Sequence, residues 1–130
     1  MISANTKILT DEGPIKANDL EKSTKVLCID KSHSSYYNEI REPWFSTGKL
    51  YNFYFAGGIL ASTEDQRVLC VKRRLMTICE ALITKTPIHT ASGLLLPHFI
   101  ENSSQKAEVV GVKPVGWDNN VFMVESVYLL

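Results

Sequence analysis

Short runs rich in Val, Ile, Leu, Tyr and Phe recur along the chain, each bounded by Gly, Pro, Asp, Asn or Ser. Runs of this kind, with apolar and polar positions mixed along them, suit strands that bury one face. Lys7–Thr10, Lys25–Ile29 and Leu50–Phe55 are the first strands expected. Asp11-Glu12-Gly13 followed by Pro14 marks a tight turn, because Gly tolerates positive φ and Pro fixes the exit; it joins Lys7–Thr10 to Pro14–Lys16. Ala56-Gly57-Gly58 separates Tyr51–Phe55 from Ile59–Ser62 in the same way and predicts a second hairpin.

Helical character is sparse. Thr77 to Ile83 can form a short helical turn before Pro87 forbids continuation, and Asn18-Asp19-Leu20 a similar one. Asn102 to Lys106 is polar and reads as a loop, after which Glu108–Val115 and Asn120–Leu130 resume strand-like character. A hairpin, a short helical turn ending in Leu and then a strand occur around residues 7–29 and again around 55–90, which suggests an internal duplication. The pattern predicts an all-β domain with at most two short helices.

Composition narrows the class. The 130 residues suit one domain, 1–130, and 45% hydrophobic with 22% charged residues is the balance of a soluble globular protein. Lys plus Arg equals Asp plus Glu at 14 each, so no overall field draws the chain to nucleic acid or to an anionic membrane. Lys72-Arg73-Arg74, with Arg41 and Arg67, reads as a solvated turn, since aromatics do not interleave with it. The longest apolar runs, such as Ser92 to Phe99, are far below a membrane span, and no charged-then-apolar signal pattern opens the chain; a cytoplasmic protein is expected. Cys28, Cys70 and Cys79 are widely spaced and form no CxxC pair, so neither a disulfide framework nor a zinc site is expected, and they read as buried thiols or strand residues. No metal or cofactor is called for.

Three blocks carry a resemblance. They are Ile2 to Thr10 with Gly13, Ile15, Asp19-Leu20 and Lys25-Val26; Ser46 to Lys49 with Tyr51, Gly58 and Ile59 to Leu69; and Val110-Gly111-Val112, Pro114-Val115-Gly116 and Val121 to Glu125. Taken together they resemble the Hint domains of inteins and hedgehog autoprocessing proteins over nearly the whole chain. The resemblance implies a flat, horseshoe-like, all-β fold with a pseudo-two-fold axis and both chain ends at a central active site. It also implies host-protein flanks as partners. A homing endonuclease insertion has no room.

The family's chemistry rests on a few positions, and the resemblance assigns each a residue here. Its first residue is Cys or Ser, which attacks the preceding carbonyl; Met1 stands there, and a thioether has no thiolate form. Read as a start codon, Met1 also leaves nothing before it to cleave, and a genuine start and a lost Cys both fit. Thr63 matches the family threonine that helps hold the scissile amide and its oxyanion. It also fits as a plain β-branched strand residue. Gln66 falls at the family histidine that protonates the leaving nitrogen; an amide donates a hydrogen bond but exchanges no proton near neutral pH. Thr86-Pro87-Ile88-His89 repeats the Thr-x-x-His spacing without the preceding hairpin. His33 and His98 have no partner visible in the sequence. Met123 aligns with the family aspartate and suits the core. The final Tyr128-Leu129-Leu130 replaces the His-Asn whose Asn would cyclise.

With nucleophile, histidine, aspartate and terminal Asn all changed, the expected protein is an intein-like domain without splicing competence, a relic or a trimmed intein. The alternative is a structural or interaction module, viral or phage in origin, that binds a protein partner through Tyr36, Tyr37, Trp44 and Phe45.

Overall fold

A computed structural model of the chain describes residues 1–30, 32, 34–117, 122–123 and 128–129. In chain order the strands are β1 (Ile2–Ser3), β2 (Lys7–Thr10), β3 (Gly13–Lys16), β4 (Lys25–Ile29), β5 (Ser35–Glu39), β6 (Trp44–Phe55) and β7 (Gly58–Ser62). They continue with β8 (Arg67–Cys70), β9 (Arg74–Thr77), β10 (Ile88–Thr90), β11 (Gly93–Leu95), β12 (Phe99–Gly111), β13 (Phe122–Met123) and β14 (Tyr128–Leu129). Among the described residues one α-helix is present, α1 (Ile78–Thr84), between β9 and β10. Among the described residues the strand pairings are antiparallel and fall into three sheets: β1-β12-β6-β7-β14, β11-β10-β8-β9, and β13-β4-β2-β3 with β5 on the side of β4. The expected all-β class is the one observed, and the described helical elements include the α-helix and the short 3-10 turns Ala17–Asp19 and Val71–Arg73.

Local chemistry explains the hairpins. At the β2–β3 turn the Thr10 hydroxyl donates to the Gly13 carbonyl at 2.6 Å and accepts from the Glu12 N–H at 3.1 Å, while Gly13 adopts φ +98°. At the β10–β11 turn the Thr90 hydroxyl donates to the Gly93 carbonyl at 2.7 Å and accepts from the Ser92 N–H at 3.1 Å, with Gly93 also at φ +98°. The same four-residue device therefore closes two hairpins in different sheets. The sequence places the second copy of the duplicated unit at 55–90; the echo of this turn lies at the end of that span, at Thr90–Gly93. The expected β6–β7 hairpin forms with Phe55 opposite Gly58.

Helix α1 forms where a short helical turn is expected over Thr77 to Ile83. Thr77 caps it by accepting from the Glu80 N–H at 3.2 Å, and the Glu80 carboxylate accepts from the Thr77 N–H at 3.4 Å. Lys85 ends it in the left-handed conformation at φ 53°.

Four sequence expectations need correction. The polar stretch Asn102 to Lys106 is no loop, because β12 runs through it and pairs with β6 on both sides of a register shift. Asn102 faces Tyr51 and Lys106 faces Lys49, so three residues of β12 oppose the single Leu50, and a bulge absorbs the polar insert while the ladder continues. The strand beginning at Leu50 in fact starts at Trp44, and the strand expected over Glu108–Val115 ends at Gly111. Cys79 departs from its expected setting too, as it lies half-buried on α1, whereas Cys28 and Cys70 are buried strand thiols. Of Asn120–Leu130, the described residues contribute β13 and β14; the remainder, like His33, lies outside the described residues.

The core draws on all three sheets. Ile2, Ile8, Val26, Phe53, Leu60, Val68, Ile78, Ile88 and Val110 are each at most 2% exposed and belong to one cluster. Each such side chain stabilises the fold by about 1.5–3 kcal/mol before entropy is counted. The short β1 fixes the site: Ile2 pairs with Val110 of β12 and with Ser62 of β7, closing the gap between those strands. Met1 is thereby held beside Thr63, the residue that follows β7.

Candidate active site

Met1 and Thr63 bind each other through main chain and side chain. The Thr63 N–H donates to the Met1 carbonyl at 2.9 Å, and the Met1 nitrogen donates to Thr63 Oγ1 at 3.0 Å. The Thr63 hydroxyl also lies 2.7 Å from Asp65 Oδ1 and 3.3 Å from the Met1 carbonyl oxygen. A hydroxyl has one proton to give. The shorter, charge-assisted bond to a carboxylate is the stronger, so the proton points at Asp65 and away from the Met1 carbonyl. The Asp65 carboxyl is correspondingly held below the usual aspartate range, first by the Thr63 hydrogen bond and then by the positive charge at the Met1 nitrogen and a bond from its own N–H, against partial burial.

The turn after Thr63 is pinned on both sides. The Gln66 N–H donates to the Thr63 carbonyl at 3.3 Å, and the Gln66 carbonyl accepts from the Ile78 N–H at 2.8 Å, which ties the turn to the start of α1. The Gln66 side-chain amide donates to the Arg67 carbonyl at 3.1 Å.

These residues open onto a cavity of about 280 Å³. Its buried floor includes Leu69, Val109, Gly111 and Met123; Met1, Thr63, Gln66, Leu75 and Trp117 stand half-buried along its walls. The exposed rim carries Trp44, Thr47, Asp65, Arg67 and Lys113. Trp44 faces Gly111 across the β6–β12 ladder, and a methyl group added at position 111 would overlap its indole, so the glycine makes the space in which the ring lies. Lys113 holds its ammonium 5.9 Å from the Trp44 ring and 5.7 Å from the Trp117 ring.

Met1, Thr63, Gln66 and Met123, four positions singled out in the sequence, thus meet at one cavity. His89 does not line it; it stands on β10 opposite Leu94 of β11. His98 is exposed, with its backbone N–H on the Tyr54 carbonyl at 3.0 Å. Lys72 is exposed on the 3-10 turn between β8 and β9, as the solvated-turn reading expects. Tyr36, Tyr37, Trp44 and Phe45 are all exposed, at 36%, 41%, 44% and 55%. Asp65, Lys113 and Trp117 escaped the sequence reading. Asp65 alone had a local signal, as the carboxylate two residues after the block threonine. Among the described residues no cluster of His, Cys, Asp or Glu could hold a metal ion. No helix of the described residues is long and apolar enough to cross a membrane.

The fold defined by these sheets and by the meeting of Met1 with the turn after β7 is the all-β Hint fold of inteins. The chain is similar in structure to a DnaB intein from Synechocystis sp., with TM-score 0.77 and 16% identity over 95% of this chain and 97% of that one. It is likewise similar to a bacterial intein-like domain from Clostridium thermocellum, with TM-score 0.76 and 16% identity over 95% and 97% of the two chains. The gp41-1 intein superposes with TM-score 0.72 and 16% identity over 95% and 97%. At these identities the likeness is one of fold. No protein-family model matches the chain, and no curated protein matches it by sequence.

Proposed function

We propose that this chain is an intein-like Hint domain that keeps the splicing scaffold and has lost the self-cleavage chemistry. The observation that carries the reading is the chemical make-up of the cavity around Met1. Met1 and Met123 bring thioethers to it and Gln66 an amide. None of the three ionises, so the cavity offers neither a thiolate nucleophile from position 1 nor an imidazole acid from position 66. Thr63 remains, with its proton committed to Asp65. On this reading the partners are host-protein flanks in a cytoplasmic setting, with no role for nucleic acid, membrane, metal or cofactor. Placed between two reporter peptides, the unaltered chain is expected to stay uncut through a long incubation with thiol, as followed by intact mass. Release of either flank, or ligation of the two, would overturn the proposal.

A second reading, a protein-interaction module on a Hint scaffold, is favoured by the exposure of Tyr36, Tyr37, Trp44 and Phe45 on β5 and the start of β6. The gene on either side separates the two. A host reading frame continuing through both ends supports the intein-like domain, and separate start and stop signals support the module.

A further inference from the structure

The cavity has a feature that loss of splicing leaves unexplained: it remains open and organised. Both tryptophans of the chain line it, although they are far apart in sequence. Its floor is apolar, with Leu69 and Val109 each 1% exposed and Met123 at 7%. Among the described residues of the lining, the charged side chains are two cations, Lys113 and Arg67, and one carboxylate, Asp65. That carboxylate is already engaged by the Thr63 hydroxyl at 2.7 Å. Among the described residues no carboxylate is seen to pair with Lys113 or Arg67; Lys113 instead rests between the two indole faces. An apolar pocket with a few convergent polar groups is the usual form of a small-molecule site.

From these observations we propose that the cavity binds a small amphipathic organic anion, with a compact apolar body on the Leu69, Val109 and Met123 floor and a carboxylate-type group at the rim beside Lys113 and Arg67. The sign of the charge follows from the lining. A cationic ligand would meet two positive charges, and Lys113 already occupies the indole faces that would otherwise attract it. An anion gains both cations while its apolar body displaces water from the floor. This goes beyond the splicing reading and stands or falls apart from it, since it needs no bond made or broken.

The indoles provide the readout, because they are the only two in the chain and both border the cavity. Adamantane carboxylate, adamantanol and adamantyl ammonium share one compact body, differ in charge and do not absorb in the tryptophan range. Titrated into the whole chain, the carboxylate should give a saturable change in tryptophan emission, with the ammonium compound at least about tenfold weaker and the alcohol between them, a spread one charge contact can supply. Lys113→Glu should weaken the carboxylate about tenfold or more and narrow or reverse the order of the series. Lys113→Gln, with near-ultraviolet circular dichroism to show the fold intact, should weaken it by less. Equal affinity for all three compounds, tighter binding of the ammonium compound, or no saturable change in a folded chain would overturn the proposal.

Discussion

Thr63 has one hydroxyl proton and two oxygens within reach, and the competition between Asp65 at 2.7 Å and the Met1 carbonyl at 3.3 Å decides what the residue can do. Asp65 wins because it is nearer and ionised. Its lowered pKa gives the sign of a pH effect: the stabilisation is fully present above the unfolded value, about 3.9, and is lost as pH falls through the lower folded value. The unfolding midpoint in urea should therefore be higher for the parent than for Asp65→Asn at neutral pH, and the gap should close in acid. A gap independent of pH would mean that the side chain's shape matters rather than its charge. The thiols give a second residue-scale test. Burial pushes Cys28 up to about 12 and Cys70 to about 11, the latter with Glu80 adding and Arg74 opposing. Cys79 is also raised, by burial and then by Glu64 and Asp65. At pH 8 a thiol reagent should leave Cys28 and Cys70 unlabelled in the folded chain and Cys79 slow, while all three react in denaturant. Fast labelling of the folded chain would contradict the burial described. The burial of Cys28 and Cys70 was legible in the sequence, whereas the helical, half-buried setting of Cys79 and the role of Asp65 were not, because the first comes from packing and the second from a distance.

At the scale of elements, legibility followed local chemistry. The Gly13 and Gly57-Gly58 hairpins and helix α1 could be read because their turn and cap residues constrain the backbone on the spot. The start of β6 could not, since Trp44, Phe45, Ser46 and Thr47 are all exposed and leave no one-sided alternation. The β12 bulge was missed for a related reason: a polar stretch resembles a loop until its partner strand is known. The α1 cap offers a clean test. Thr77→Ala removes the side-chain acceptor for the Glu80 N–H and should cost about 1 kcal/mol in chemical denaturation. Thr77→Ser should recover most of that, and no loss in the alanine variant would show that tertiary packing alone holds the helix.

For the molecule as a whole, the three sheets share one core and bring residues from opposite ends of the chain to one cavity: Met1 before β1, Thr63 after β7 and Met123 in β13. The sequence blocks pointed to the fold, and the structure shares it with inteins at 16% identity. Apolar spacing and turn chemistry make a scaffold recognisable, whereas a long-range pairing such as Lys113 with Trp44 leaves no local pattern. The central claim, a retained scaffold with two separable chemical deficits, is tested most directly by the rate of thiol-induced cleavage of a peptide fused ahead of position 1. Met1→Cys supplies the nucleophile, and Met1→Cys with Gln66→His supplies the acid as well. Positioned acid–base catalysis is worth about 10²–10⁴-fold, so the double variant should cleave measurably and the single variant should be nearly inert. Equal rates in the two variants, or no cleavage by a folded double variant, would contradict the account.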